Sequence, residues 1–236
     1  YYRLFNDKIF IGTVWNTVLF VLMTVPVFVA IGLMLALALN RSDRTSASLR
    51  AIFFGTSVLS VTIVTIIWKM MYMPGNGAIA SIMKLFGLEP IAFITTASLA
   101  LPAIAITTIW WIIGLPMMLF LAALQQIPGE LYEAAALDNA SRWRSFWSIT
   151  LPSIRRTMLV VVIYEIVAQF QLFGQAQLLT QGGPNNASRP IVLFIYEQGF
   201  RSWNLGYAAA ASEILFLIMA VAALAQFFAS RKRVEE

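Results

Sequence analysis

The chain has 236 residues, of which 60% are hydrophobic and only 11% are charged, and its mean hydropathy is +0.79. This balance lies far outside that of soluble domains and indicates a membrane protein. Cysteine and histidine are both absent, which excludes a disulfide framework, a thiolate nucleophile and most metal chemistry, so no catalytic and no metal-binding residue is expected. The formal net charge of +5 does not indicate nucleic-acid binding, because the basic residues stand in short clusters beside apolar runs.

Five apolar runs are long enough to cross a bilayer as helices, which takes about 20 residues each. These runs cover residues 13–39, 51–72, 97–124, 157–179 and 205–229. Together they predict an all-α polytopic membrane protein with five transmembrane helices, forming a single transmembrane domain over residues 1–236.

Basic residues between the runs predict the orientation of the chain, because short cytoplasmic loops are enriched in Lys and Arg. They concentrate in alternate connections and in the tail, namely Arg41, Arg44 and Arg50, then Arg142, Arg144, Arg155 and Arg156, then Arg231, Lys232 and Arg233. The start of the chain is therefore expected outside and the C-terminus in the cytoplasm. Since an outside start without an initiating Met or a signal sequence is unusual, we expect the natural protein to have one further transmembrane helix before Tyr1.

The third span carries a candidate binding patch around a Gly-x-Pro sequence. Gly114 and Pro116 loosen a helix in mid-membrane and free backbone carbonyls, as transporters do where they shape a binding site. The indole of Trp111 can stack on the face of a sugar ring. Tryptophans within spans also pack against other helices or anchor at the membrane interface, and the sequence leaves this alternative open.

A polar segment over residues 128–152 separates the third and fourth spans and reads as a helical hairpin. Pro128 suits the first turn of a helix, and the good helix formers Leu131 to Leu137 follow it. Asp138-Asn139 interrupts that helix, because Asn tolerates the left-handed backbone that ends helices. Ser141 is then a suitable N-cap for a second helix.

The second helix of the hairpin is predicted to be amphipathic. Its apolar edge, formed by Trp143, Phe146, Trp147 and Thr150 at helical spacing, is expected to lie against the membrane-embedded part of the protein. Leu151-Pro152 is expected to end this helix, because proline cannot continue one without loss of a hydrogen bond.

The fourth span contains polar side chains that are expensive in lipid and therefore face a cavity or another helix. Glu165, Gln169 and Leu172 follow one helical stripe, whereas Tyr164, Gln171 and Gln175 occupy nearly the opposite side. Only one of the two stripes can line a given pathway. The alternative, that the amides simply bond to neighbouring helices, stays open.

In the last span, Glu213 stands among Ala and Leu residues and needs a partner, which we expect to be an Arg or Lys of another subunit. The small residues from Ala208 to Ser212 indicate a close contact between helices nearby.

Two motifs resemble those of a known family. Glu133-Ala134-Ala135, the turn at Asp138-Asn139 and the closing Leu151-Pro152 resemble the EAA loop of the membrane subunits of ATP-binding-cassette importers. Residues 179–184, Leu-Thr-Gln-Gly-Gly-Pro, resemble the LTxGGP signature of the carbohydrate-type branch of these importers. This chain has Asn139 where the family usually has Gly, and we expect the same turn geometry from it.

The resemblance implies an assembly of several subunits in a prokaryotic inner membrane. Its other members would be a second, related permease subunit, two copies of a cytoplasmic ATPase and an extracytoplasmic solute-binding protein. No Walker A pattern occurs in this chain, so no cofactor is expected here, and ATP with Mg²⁺ would bind to the partner ATPase.

The resemblance also implies roles for residues of this sequence. The coupling of ATPase closure to the membrane is expected from Glu133, Ala134, Ala135, Asp138, Asn139, Leu151 and Pro152. The similarity to maltose-type permeases favours the stripe with Glu165, Gln169 and Leu172 as the substrate pathway, with Trp111, Gly114 and Pro116 as the second patch.

The predicted function is that of a permease subunit, not an enzyme, which moves a sugar, oligosaccharide or related polyol- or glycerophosphate-type solute inward by alternating access. One alternative is a permease for an amino acid or an ion. A secondary transporter that works without ATP is a weaker alternative, because it would not need the cytoplasmic hairpin. The Gly182-Gly183-Pro184 loop argues against the amino-acid and ion importers.

Overall fold

A computed structural model describes residues 1–231 and shows a helical protein. Lys232 and Arg233 of the predicted basic tail lie outside the described residues. In chain order the α-helices are α1 Tyr2–Phe5, α2 Lys8–Ala38, α3 Arg44–Thr56, α4 Val61–Met71, α5 Ala78–Leu85, α6 Ala97–Ile112, α7 Gly114–Leu124, α8 Gly129–Leu137, α9 Arg142–Ser145, α10 Leu151–Ser153, α11 Arg155–Phe170, α12 Gly174–Leu179, α13 Ile191–Tyr196 and α14 Leu205–Arg231. Two π-helical turns, Phe146–Thr150 and Glu197–Arg201, continue α9 and α13.

The first and last predicted spans are long continuous helices, α2 and α14. Asp7 caps the start of α2, where its carboxylate accepts hydrogen bonds from the amides of Ile9 and Phe10. By length and hydropathy, both helices are sufficient to cross a membrane.

The second predicted span is not one helix, contrary to the expectation for residues 51–72. Helices α3 and α4 meet at an angle of 97° across a break at residues 57–60. Ser60 caps α4 by accepting from the amide of Ile63, and the indole nitrogen of Trp111 donates to the freed carbonyl of Leu59 at 3.0 Å. The break therefore keeps its polar backbone satisfied, and hydropathy gives no sign of it.

The third predicted span is bent by 46° between α6 and α7, at Ile113. This is where the Gly-x-Pro sequence was expected to loosen the helix, since Pro116 has no amide hydrogen to donate to the carbonyl of Ile112. The bend places Gly114 and Pro116 in the first turn of α7.

The fourth predicted span, residues 157–179, is also interrupted. Helix α11 ends at Phe170, residues 171–173 leave the helical path, and α12 begins at Gly174. A Cβ atom at Gly174 would lie 2.9 Å from a methyl group of Val61, so glycine permits α12 to pack closely on α4. The prediction of an uninterrupted fourth helix is therefore wrong, and after the break α12 packs closely on α4.

Helix α2 lies at the centre of the bundle, where α6, α7, α11 and α13 pack around it. A Cβ atom at Gly32 would lie 2.9 Å from Cβ of Pro116, so this glycine allows α2 and α7 to cross closely. Among the described residues, two helices and two bent pairs have the length and hydropathy of membrane spans, while α11 has 16 residues. The count of five spans therefore stays a prediction.

Candidate functional site

The hairpin predicted over residues 128–152 begins with α8 and a left-handed turn. Asn139 has φ of 54°, and the amide of Ala140 donates to the carbonyl of Ala135 at 2.9 Å. This six-residue closure around a left-handed residue is the Schellman arrangement that ends many helices. Asn139 therefore has the backbone conformation predicted for it.

Replacement of Asn139 by glycine is expected to leave thermal stability within about 0.5 kcal/mol of wild type, because glycine adopts a left-handed backbone freely. Replacement by alanine is expected to lower the free energy of unfolding by about 1 kcal/mol, since a Cβ atom disfavours this conformation. Thermal unfolding of the detergent-solubilised protein measures both variants. Equal losses in the two variants would show that the Asn side chain, rather than the turn, matters.

The second half of the hairpin differs from expectation in two respects. Ser141 caps α9 as predicted, accepting from the amide of Arg144 at 3.2 Å. The helical path then widens into a π-turn and continues through Pro152 to a kink at Ile154, so Leu151-Pro152 does not end the helix. The π-turn shifts the hydrogen bonding, with the amide of Leu151 donating to the carbonyl of Phe146, and Pro152 follows as the second residue of α10.

The two tryptophans of the predicted apolar edge are exposed, contrary to expectation. Trp143 is 70% exposed and Trp147 is 51% exposed, and both contact Phe146. Phe146 is half-buried and packs against an apolar cluster of α2, α7 and α11, as predicted. Thr150 is buried as predicted, and its hydroxyl lies 2.9 Å from the hydroxyl of Tyr132 on α8. This hydrogen bond ties the two halves of the hairpin together.

The outward side of the hairpin carries the residues that the EAA resemblance singles out. Glu133, Ala134, Asp138 and Asn139 are exposed, and Ala135 is half-buried. A shallow concavity of about 190 Å³ lies between α8 and the following segment, lined by Ala135, Asp138, Ala140, Arg144, Ser145, Ser148 and Ile149. Leu151 and Pro152 lie at the other end of the hairpin, half-buried and exposed respectively. The hairpin is therefore a short helical element that is held together by the Tyr132–Thr150 hydrogen bond and has an exposed polar face.

Glu165 and Gln169 are brought together on the buried side of α11. The amide nitrogen of Gln169 donates to Oε2 of Glu165 at 2.8 Å, and both side chains are buried. Oε1 of Glu165 is buried without a hydrogen-bond partner in the described part of the chain. Tyr164 and Gln171 are exposed, on the side away from Glu165 and Gln169. Gln175 of the same predicted stripe is half-buried on α12, so the separation of the two stripes holds only as far as the end of α11.

Leu172 does not belong to the same stripe, because α11 ends two residues before it. Its buried side chain packs in an apolar cluster with residues of α4, α6 and α12. The helical spacing used for the prediction does not hold beyond Phe170, so the structure brings together Glu165 and Gln169 but places Leu172 elsewhere.

Trp111, Gly114 and Pro116 have packing roles. The carbonyl of Trp111 accepts from the hydroxyl of Thr56 at 2.9 Å, in addition to the bond from its indole to Leu59. A Cβ atom at Gly114 would lie 2.2 Å from the carbonyl oxygen of Phe53, so the backbones of α3 and α7 touch there. These contacts favour the packing alternative for the second candidate patch.

The Gly-Gly-Pro loop is held by polar residues of α2 that sequence reasoning missed. The side-chain amide of Asn16 donates to the carbonyls of Asn186 and Arg189, at 2.8 and 3.1 Å. The hydroxyl of Thr17 accepts from the amide of Ile191 at 2.9 Å. The sequence did contain a signal for this contact, because the side-chain amide of Asn16 lies in an apolar helix and needs a hydrogen-bond partner.

Glu213 has a partner within the chain. Its carboxylate accepts a hydrogen bond from the hydroxyl of Tyr1. Glu213 is exposed in the single chain, and its pairing with an Arg or Lys of another subunit stays a prediction.

Comparison with known proteins identifies the family of the chain. Residues 5–234 match the family described as the binding-protein-dependent transport system inner membrane component. The chain belongs to this family. Its members are transport subunits rather than enzymes, and the ATPase is a separate subunit.

Relatives match along nearly the whole chain. The multiple sugar-binding transport system permease protein of Streptococcus mutans is 34% identical over 98% of this chain and 80% of its own length. The lactose transport system permease protein of Rhizobium radiobacter is 33% identical over 98% of this chain and 79% of its own length. A bacterial transporter that imports the acidic polysaccharide alginate has a chain with TM-score 0.89 and 25% identity, covering 98% of this chain and 82% of that one.

Proposed function

We propose that this permease subunit moves a sugar, an oligosaccharide or a related polyol- or glycerophosphate-type solute into the cytoplasm, driven by ATP. The observation that carries the proposal is the family match over residues 5–234, together with relatives named for sugar transport at 33 to 34% identity. The partners would be a second permease subunit, a dimer of cytoplasmic ATPases and an extracytoplasmic solute-binding protein. A similar transporter has been crystallised with its periplasmic protein loaded with an alginate pentasaccharide.

The coupling element in this proposal is the hairpin with Glu133, Ala134, Ala135, Asp138 and Asn139 on α8 and Leu151 and Pro152 at its far end. Closure of the ATPase pair would push on this hairpin and shift the bundle between inward-open and outward-open arrangements. Its left-handed turn and the Tyr132–Thr150 hydrogen bond support this role, because a hairpin tied at both ends transmits force without bending. ATP and Mg²⁺ belong to the ATPase.

The solute pathway in this proposal includes Glu165 and Gln169 on α11. Oε1 of Glu165 is buried without a partner while its side chain is closed off from solvent. A hydroxyl group of a solute would reach this oxygen and donate a hydrogen bond to it only once α11 moves during alternating access. Carboxylate and amide groups suit polyhydroxylated solutes, whereas a phosphate would need Arg or Lys. Uncharged sugars are therefore the favoured class within the proposal.

Replacement of Gln169 by alanine is expected to raise the KM for uptake about five- to thirtyfold, the effect of losing one or two buried hydrogen bonds of about 1 kcal/mol each. The variant should still assemble, because alanine is a good helix former, but at lower stability, since the substitution removes the hydrogen bond to the buried Oε2 of Glu165. The matched control is Gln171→Ala, which removes an exposed amide just beyond α11 and should leave KM unchanged. Unchanged uptake kinetics in Gln169→Ala would move the solute site to the third span or to the partner permease.

A permease for another small solute is the second candidate. A methionine transporter shares the fold with TM-score 0.59 at 15% identity, so the fold alone does not select the solute class. The Gly182-Gly183-Pro184 loop and the sugar-transport relatives favour a carbohydrate.

The deciding experiment reconstitutes the complete transporter in vesicles and measures uptake of labelled solutes presented by their binding proteins. Sugar uptake that requires both ATP and the loaded binding protein is the expected result. Uptake that persists without ATP would favour a secondary transporter, and uptake only of amino acids or ions would overturn the solute class.

A further inference from the structure

Glu165 has a carboxyl group that is completely enclosed by its own chain. Its side chain is 0% exposed on the buried side of α11. Val161, one turn earlier on the same face, packs in an apolar cluster with residues of α2 and α7, so Glu165 faces these two helices. Neither lipid nor another subunit reaches the carboxyl group in this arrangement. Its charge state therefore depends on the side chains that this chain places around it.

The hydrogen bonds of Glu165 are too few for a carboxylate. Oε2 is 2.8 Å from the side-chain nitrogen of Gln169, and Oε1 is buried without a partner in the part of the chain that the structure describes. An ionised carboxylate accepts hydrogen bonds at both oxygens, so a buried charge would leave one of them unsatisfied. A neutral acid fits better, because the amide of Gln169, turned over, presents its oxygen to the acid hydroxyl. Oε1 is then an uncharged carbonyl oxygen, whose burial costs much less.

Glu165 also has no cation close to it on its own helix. Within residues 1–231 the structure shows an ion pair between Arg189 and Glu197, but none that involves Glu165. Arg155 and Arg156 stand in the first turn of α11, about 13 to 15 Å along the helix axis from Glu165. An ionised side chain in the membrane-embedded part of a protein is expensive and needs a partner. Helix α11 supplies none.

The helices that pack against α11 supply no counter-ion either. Helices α7 and α10 contain no titratable residue, and α2 contains Lys8, whose side chain is exposed. The titratable residues of α14 are Tyr207, Glu213 and Arg231. Tyr207 and Glu213 are hydrogen-bonded to the N-terminal segment, and Arg231 is the last residue of the helix. A charge on Glu165 would therefore be buried without a partner to offset its desolvation.

We propose that Glu165 is a neutral carboxylic acid in this closed arrangement and releases its proton when α11 moves to admit the solute. In that step the O–H bond of the acid breaks, and the proton passes to the water that enters the pathway. The carboxylate that remains accepts hydrogen bonds from hydroxyl groups of the solute. Because the closed arrangement binds one more proton than the open one, acid favours closing and alkali favours opening. This step rests on the proposed function, which supplies the movement of α11.

The test uses the complete transporter in lipid nanodiscs with its binding protein, and it needs no solute. At neutral pH the infrared spectrum should contain the C=O band of a carboxylic acid. Labelling of glutamate with a heavy carbon isotope should shift this band, which identifies a neutral glutamic acid without any variant. The band should be absent from Glu165→Gln. A non-hydrolysable ATP analogue, which closes the ATPase pair, should weaken the band in the wild-type transporter.

The same addition of the ATP analogue should release protons, which a pH-sensitive dye counts in a weakly buffered medium. Wild type should release about one proton more per copy of this chain than Glu165→Gln does. The matched control is Glu89→Gln, because Glu89 is an exposed carboxylate in the segment that follows α5. This control should keep both the infrared band and the proton release of wild type.

The possible outcomes separate the two proposals. Absence of the glutamic acid band from the wild-type spectrum would overturn the neutral state of Glu165 and leave the proposed function intact. A band that the ATP analogue does not weaken, with equal proton release from wild type and Glu165→Gln, would overturn the link to opening. A band that responds as expected in a transporter that takes up no sugar would instead overturn the proposed solute class and support the proton release.

Discussion

Gly114→Ala is expected to prevent accumulation of folded permease. The added Cβ atom would lie 2.2 Å from the carbonyl oxygen of Phe53 and 2.6 Å from Cα of Phe54, both of which are backbone atoms that no rotamer change can move. One of the helices α3 and α7 must therefore shift, at an expected loss of more than about 4 kcal/mol in the free energy of unfolding. The yield of monodisperse protein on size exclusion in detergent, together with its thermal unfolding, measures the effect.

Other glycines of the same chain provide graded controls for this variant. Gly12 and Gly55 have no atoms within 4 Å of a Cβ position, so alanine there should raise helix stability by about 0.5 to 1 kcal/mol. Gly32 is intermediate, because its Cβ atom would lie 2.9 Å from a side-chain carbon of Pro116. A wild-type yield of Gly114→Ala would show that α3 and α7 separate easily, and the break at residues 57–60 would then be a flexible joint.

The properties that the sequence predicted are those encoded locally. Apolar runs of sufficient length predicted α2 and α14, because burial in lipid and helical hydrogen bonding act within each segment. The left-handed turn at Asn139 and the N-cap at Ser141 followed from the preferences of single residues. The family motifs predicted the family itself, which the match over residues 5–234 confirms.

The properties that escaped prediction depend on contacts between distant residues. The break before α4 is stabilised by Trp111, more than 50 positions away, and the break before α12 by the close approach of Gly174 to Val61. Neither contact leaves a mark in local hydropathy. Helix α11 therefore ends before the predicted end of the fourth span, and Leu172 does not share a helical face with Glu165 and Gln169.

The burial of the tryptophans also depends on contacts that the local sequence does not encode. Trp143 and Trp147 have helical spacing and were expected to be buried, although they are exposed. Trp203, and not the adjacent Ser202 or Asn204, takes the left-handed position of its turn. Side-chain type alone does not reveal whether an aromatic surface is satisfied within the chain or by a partner subunit. In a single subunit of an assembly, the burial of an aromatic side chain is therefore difficult to predict from the sequence.

Glu133→Ala is expected to reduce ATP-driven uptake by at least about tenfold while leaving the protein folded. In the proposed coupling role, the exposed face of α8 is covered by the ATPase, so the carboxylate of Glu133 becomes a buried charge with a polar partner. Removing one member of such a contact costs about 2 to 5 kcal/mol at an interface, which exceeds the 1.4 kcal/mol of a tenfold change. Uptake and ATP hydrolysis are measured together in vesicles that contain the complete transporter.

Glu130→Ala is the matched control for this variant, since both carboxylates lie exposed on α8, one turn apart. Glu130 is in the first helical turn, where a negative charge stabilises the helix by about 0.3 to 1 kcal/mol. The control should therefore destabilise the isolated helix more than Glu133→Ala does, yet impair uptake less. Equal loss of uptake in the two variants would indicate a general weakening of the hairpin. Normal uptake in Glu133→Ala would separate this residue from coupling and leave the concavity beside Ala135 as the remaining candidate for contact with the ATPase.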